Sequence, residues 1–159
     1  MASYTHTQSL GHLTGLAGRL FNKLLTSRFQ AAGIDMTAEQ WGVVLLLVNH
    51  DTLTQGQIGE MLYLEKSTIS RSITGLVKRG WVVCNKSAED GRQRNVSLTP
   101  KAMKIVERCA EIASGVLRDA QQGLSENEIA SNQQHLASVI GNLRQLNNNG
   151  TDSGDDSTG

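Results

Sequence analysis

Between Lys66 and Arg79 the chain reads Lys-Ser-Thr-Ile-Ser-Arg-Ser-Ile-Thr-Gly-Leu-Val-Lys-Arg, with short hydroxyls, long cations and branched aliphatics recurring at helical spacing. At about 100° per residue, Ile69, Ile73, Leu76 and Val77 fall within one arc roughly 100° wide, and Ser67, Arg71, Thr74 and Lys78 gather on the opposite side. A helix of this kind packs by its aliphatic face and offers the other over about 20 Å of its length. Short hydroxyls let a backbone approach a phosphate or a base edge, an arginine can bond guanine in two places, and a lysine neutralises phosphate. Together with Lys66, Thr68 and Ser70, these residues are candidates for contact with double-stranded DNA in its major groove. A second group follows at Asp90-Gly-Arg-Gln-Arg94. Alternate residues of a strand share a face, so Arg92 and Arg94 can project together. Asp90 can hold Arg92 in one direction, which suits insertion into a narrow, electronegative minor groove.

The elements that must position these groups are marked by their starts. Thr37 with Gln40, Thr54 with Gln57 and Ser125 with Glu128 have the spacing of a capping box. Thr99 precedes Pro100, a residue favoured at the first helical position. Each opens an amphipathic stretch, the last two predicting helices from Pro100 to about Gln122 and from Glu126 to Leu146. An earlier helix, roughly Ser9 to Ala31, carries Leu13, Leu16, Leu20 and Leu24 and stops before Gly33. After Gly80, the β-branched run Trp81 to Lys86, turn residues 87–91 and the alternating run Arg92 to Leu98 predict a hairpin. The short helix from Thr54 to about Met61, the link through Tyr63 and Leu64 and the next helix have helix-turn-helix spacing, and the hairpin then reads as a wing. The class expected is mainly α with a small β-hairpin wing.

Composition limits the alternatives. The chain has 159 residues, one proline and 38% hydrophobic residues, enough for one soluble domain with a core. Its 15 basic and 15 acidic side chains cancel, yet from Thr54 to Lys104 nine bases face four acids, a local excess that suits an anionic partner. The longest apolar runs, such as Val43 to Val48, are too short to cross a bilayer, and the polar amino terminus lacks a secretory pattern, so a cytoplasmic location is expected. Residues 150–159 are small and acidic and read as a disordered tail. Cys84 and Cys109 form no C-x-x-C pair, and His6, His12, His50 and His135 are scattered, so neither a zinc site nor any other cofactor is expected. No nucleophile elbow, phosphate loop or acid-base pair points to an enzyme. The long first helix and the last two have more apolar surface than a small winged helix can cover, which predicts burial against a second copy.

The stretch Leu64-Glu-Lys-Ser-Thr-Ile-Ser-Arg-Ser-Ile-Thr-Gly-Leu-Val-Lys-Arg-Gly80, followed by Glu89-Asp-Gly-Arg-Gln-Arg-Asn-Val-Ser-Leu-Thr-Pro-Lys101, resembles the MarR family of bacterial transcriptional regulators. With the flanking helices the resemblance spans about residues 9–147. It implies a flexible 1–8, a helical dimerisation region at 9–36 and 100–147, a winged helix-turn-helix at 37–99 and a tail at 148–159. It further implies a homodimer that reads a pseudo-palindrome, commonly as a repressor released by a small phenolic or other aromatic effector. On matching positions, Ser67, Thr68, Ser70 and Arg71 would face bases or nearby phosphates, and Arg92, oriented by Asp90, would enter the minor groove. Candidates for lining an effector pocket are His12, Leu16 and Trp41. The chain departs from the family pattern at Cys84, where a basic residue is usual, and at Ala102, where glycine is usual. Some relatives sense oxidants through a cysteine in the amino-terminal helix, which has none here, leaving Cys84 as the residue of a redox-responsive alternative. A winged-helix module that binds protein rather than DNA is the other alternative.

Overall fold

The computed structural model describes residues 5–86, 91 and 93–151. Contacts divide the chain into two compact units, Met1–Leu117 and Arg118–Gly159. After a 3-10 turn at His6–Gln8, the first unit opens with α1 (Leu10–Ala31), whose cap Ser9 accepts from the His12 amide. α1 ends as its glycine predicts. Gly33 takes φ +76°, and the Ile34 amide reaches back to the Phe29 carbonyl at 2.8 Å. α2 (Ala38–His50) and α3 (Gln55–Leu62) start on complete capping boxes, Thr37 with Gln40 and Thr54 with Gln57. α4 (Lys66–Lys78) follows, then β2 (Val82–Lys86) and β3 (Arg94–Leu98) as the expected antiparallel hairpin.

The hairpin is not alone. Thr52–Thr54 forms a third strand, β1, antiparallel to β3 with Leu53 opposite Val96, so the sheet order is β1-β3-β2. Three residues are too few for alternation to show, and Thr54 serves both as strand end and as helix cap. The segment after Thr99 departs from one continuous helix: α5 (Pro100–Met103) and α6 (Val106–Ala120) are separated where the Ile105 amide bonds the Ala102 carbonyl, three residues back rather than four. Thr99 caps α5 as expected, its hydroxyl accepting from the Ala102 amide. The second unit is dominated by α7 (Glu126–Thr151), capped by Ser125 and running past the expected end at Leu146.

The core joins elements far apart in sequence. Phe29 from α1, Val44 and Leu47 from α2, Ile58 from α3, Ile69 and Leu76 from α4, Val96 from β3 and Cys109 from α6 lie in one buried cluster. Phe29 meets Trp41 edge-on, with ring centroids 6.1 Å apart. α2, α3 and β2 therefore form the seat on which α4 rests, which determines the face it can offer.

Candidate nucleic-acid interface

α4 buries Ile69, Ile73 and Leu76 and exposes Lys66, Ser67, Ser70, Arg71, Thr74 and Lys78, with Thr68 half-buried at the margin. Positions 67, 70, 71, 74 and 78 recur every three or four residues, so these side chains form one stripe along the helix. Val77 departs from the helical-wheel reading, being 44% exposed. It lies at the edge of the aliphatic arc, and packing covers only the part between Leu76 and Ile73. Within the stripe, Thr74 donates its hydroxyl proton to the Ser70 carbonyl at 2.8 Å. That leaves its oxygen only lone pairs to offer a ligand, together with its methyl group.

The turn that presents the stripe is tight. Tyr63 adopts φ 52° and ψ 50°, a left-handed conformation unusual for a side chain of its size, and the Leu64 amide bonds the Gly59 carbonyl at 3.0 Å. α4, with Glu65 at its cap position, starts without a side-chain cap, which leaves its first amides without that partner. Such amides are well placed for a phosphate, because the helix dipole adds positive potential at that end.

At its other end α4 is anchored by contacts that composition did not reveal. Arg79 pairs its Nε with Asp35 Oδ2 at 3.2 Å and donates Nη1 to the Gln40 side chain. Trp81 donates its indole N–H to the Asp35 carbonyl at 2.9 Å. Lys101 donates to the Arg79 carbonyl at 2.8 Å and stands 4.3 Å over the Trp81 ring. Arg79 is therefore tied to the fold by two side-chain partners. Asp35, Lys78, Arg79, Trp81 and Lys101 line an open cleft of about 440 Å³.

On the wing, Arg94 is exposed and stands opposite Lys86 across the hairpin. Asp90 and Arg92 lie outside the described residues, so their pairing stays an expectation from sequence. The three effector candidates have different surroundings. Trp41 is 6% exposed and packed on Phe29; Leu16 is 39% exposed on α1; the His12 ring lies 5.1 Å from that of His6. None of the three lines the cleft beside Trp81.

Burial holds both cysteines toward the protonated thiol. Burial pushes the Cys84 thiol up, against a smaller lowering by Arg94, and burial likewise raises Cys109 despite nearby Arg108. A thiol held protonated is a poor nucleophile and a slow target for oxidants. In the native protein near neutral pH, both are expected to alkylate with iodoacetamide at less than about a tenth of the free-cysteine rate, and urea should restore that rate. Peptide mass spectrometry over time reads this directly, and rapid native labelling of Cys84 would reinstate a redox role for it.

Among the described residues no three or more His, Cys, Asp or Glu side chains gather as a metal site, and no helix is long and apolar enough to cross a membrane.

Comparison with known proteins agrees with this geometry. The family model described as MarR family matches residues 34–93. The organic hydroperoxide resistance transcriptional regulator of Bacillus subtilis is 28% identical over 114 residues, 72% of this chain and 76% of that protein. SarZ of Staphylococcus aureus is 26% identical over 112 residues, 70% of each chain. Among solved structures, the transcriptional regulator PA3341 is 31% identical with a TM-score of 0.71, covering 86% of this chain and 99% of that one. A mutant of MarR from E. coli, complexed with operator DNA, shares the fold at 22% identity and TM-score 0.76 over 88% of this chain and 99% of its own. The winged architecture, the family match across the helix-turn-helix and the similarity to a transcriptional regulator over nearly its whole length place the chain in the MarR family.

Proposed function

We propose that this chain is a sequence-specific regulator that binds double-stranded DNA as a homodimer, represses from a pseudo-palindromic operator and is released by a small aromatic effector. The observation that carries this reading is the exposed stripe of Ser67, Ser70, Arg71, Thr74 and Lys78 on a helix whose other face is buried. A row of hydroxyls and cations on a rigid helix is chemistry for groove edges and phosphates, and no catalytic step needs it. Lys66, Thr68 and the wing residues Asp90, Arg92 and Arg94 complete the proposed contact set. Segment 37–99 is then the DNA-binding part and segments 9–36 and 100–147 the dimerisation region.

Dimerisation is supported by apolar surface left uncovered in one protomer. Leu10, Leu13, Leu16, Leu20 and Leu24 of α1 are each at least 37% exposed, and α7 has no buried residue among those described. A two-fold pair would set two recognition helices about 34–36 Å apart, one turn of DNA. The cell interior is where such a protein meets DNA.

The test begins with selection from a random duplex pool near physiological salt, which should recover an inverted repeat with half-sites about ten base pairs apart. On that sequence Arg71→Ala is expected to weaken binding by about 1–3 kcal/mol while random DNA is affected far less, the mark of a base contact. Lys78→Ala should weaken both alike and flatten the salt dependence by about one unit of slope. Equal losses on both DNAs for Arg71→Ala would remove the base contact. Recovery of no sequence, with salt-insensitive binding, would instead favour a protein-interaction module.

A further inference from the structure

Among the described residues Gln40 is the buried polar one, 6% exposed, at the amino end of α2. Its Oε1 accepts from the Thr37 amide at 3.1 Å and from Arg79 Nη1 beyond the last turn of α4. Its Nε2 lies 2.7 Å from where a Cβ on Gly75 would stand, so any side chain there would force the Gln40 amide to shift. The amide of Ala38, the residue after the cap Thr37, donates to Thr26 Oγ1 of α1 at 2.9 Å, which ties the same corner to the first helix.

We infer that Gln40 is a positioning residue for the DNA-reading helix: it fixes the height and tilt of α4 against the α1–α2 corner and thereby sets where Arg71 and Ser67 fall on the bases. The inference rests on the DNA-binding reading above. A capping glutamine needs one acceptor contact and no partner in another helix. Here the same oxygen serves a guanidinium that is itself held by Asp35, and hydrogen bonds to charged groups are directional and strong. Arg71 lies about 12 Å along the helix from Arg79, at about 1.5 Å per residue, so a small tilt at the anchored end displaces the reading end. Recognition of base edges tolerates displacements of only about half an ångström, whereas phosphate attraction is long-ranged and forgiving. Loss of the anchor is therefore expected in the preference for operator over random DNA.

The test compares the full chain with Gln40→Leu, which keeps the volume and removes the acceptor, and Gln40→Glu, which keeps an acceptor for both donors. Operator and random duplex affinities are measured well below the melting temperature, beside amide exchange of Leu76 to Arg79. Gln40→Leu should lower the operator-to-random preference about tenfold, leave random-DNA affinity within about twofold and speed exchange in the last turn of α4, while Gln40→Glu stays within about threefold of the parent. Gly75→Ala, which leaves Gln40 and Arg79 in the sequence but pushes the Gln40 Nε2 out of place, should reproduce the loss and substitutes for Gln40→Leu if that variant does not fold. A folded variant of either kind that keeps its preference, or loses operator and random binding equally, overturns the inference. A parent protein that selects no sequence overturns the DNA reading instead, and the exchange comparison then still reports whether Gln40 anchors α4.

Discussion

A protein carrying Leu13→Glu and Leu20→Glu together is expected to be monomeric and to bind its operator about 10²–10⁴-fold more weakly. Both leucines lie on the uncovered stripe of α1, 45% and 58% exposed, so the protomer loses little packing when they change. In a dimer they would be buried, and an unpaired carboxylate in such an interface costs several kcal/mol. The loss in DNA affinity comes from a different source. Two linked half-site contacts gain from the high effective concentration of the second once the first has formed, and a monomer forfeits that gain without losing any contact of its own. Light scattering gives the mass and titration on operator and half-site duplexes gives the affinity. The half-site affinity should be nearly unchanged, which separates lost dimerisation from misfolding. A double variant that keeps the parent's dimeric mass would show that this stripe is not where two copies meet.

What could be read from the sequence follows from how locally each feature is determined. Helix starts at Thr37, Thr54 and Thr99 depend on residues within one turn and are where the capping spacing puts them. The stop at Gly33 and the hairpin from Val82 to Leu98 are equally local. β1 is not, since Thr52 to Thr54 become a strand only because Asn95 to Ser97 pair with them. The interruption between α5 and α6 is set by one tightened backbone bond that leaves apolar spacing unchanged, so periodicity could not show it. The stripe on α4 was legible because burial of Ile69, Ile73 and Leu76 fixes the opposite face. Its anchoring was not. Arg79 finds Gln40 at a separation of 39 residues, and charge alone cannot tell a solvated cation from one committed to the fold. The buried Gln40 carried half a signal in its capping box, but the box gives no hint of the second donor or of the glycine opposite it.

Phe29→Ala is expected to lower stability by about 3–5 kcal/mol, a large part of the roughly 5–15 kcal/mol that holds such a domain together. The ring is fully buried near the end of α1 and meets Trp41 of α2 at an interplanar angle of 71°. Edge-to-face pairs of this kind add about 0.5–1.5 kcal/mol beyond the area they bury. The surroundings are also poor at collapsing into the gap. Phe29 lies where α1 closes on itself, its carbonyl accepting from Ala32 and Ile34, and Met36 and Val44 in the same cluster are already fully packed. Phe29→Leu keeps much of the volume and should cost only about 1–2 kcal/mol. Urea unfolding followed by tryptophan fluorescence suits the measurement, because Trp41 and Trp81 are both buried in the native protein. Protein concentration must be held fixed if the chain is a dimer, since association adds to apparent stability. A cost below about 1.5 kcal/mol for the alanine variant would mean that the site relaxes freely and that α1 is not held to the winged region by this contact. At the expected cost, DNA affinity at low temperature should fall only as far as the folded fraction does, because Phe29 lies in the buried core whereas the stripe of α4 proposed to read the operator is exposed.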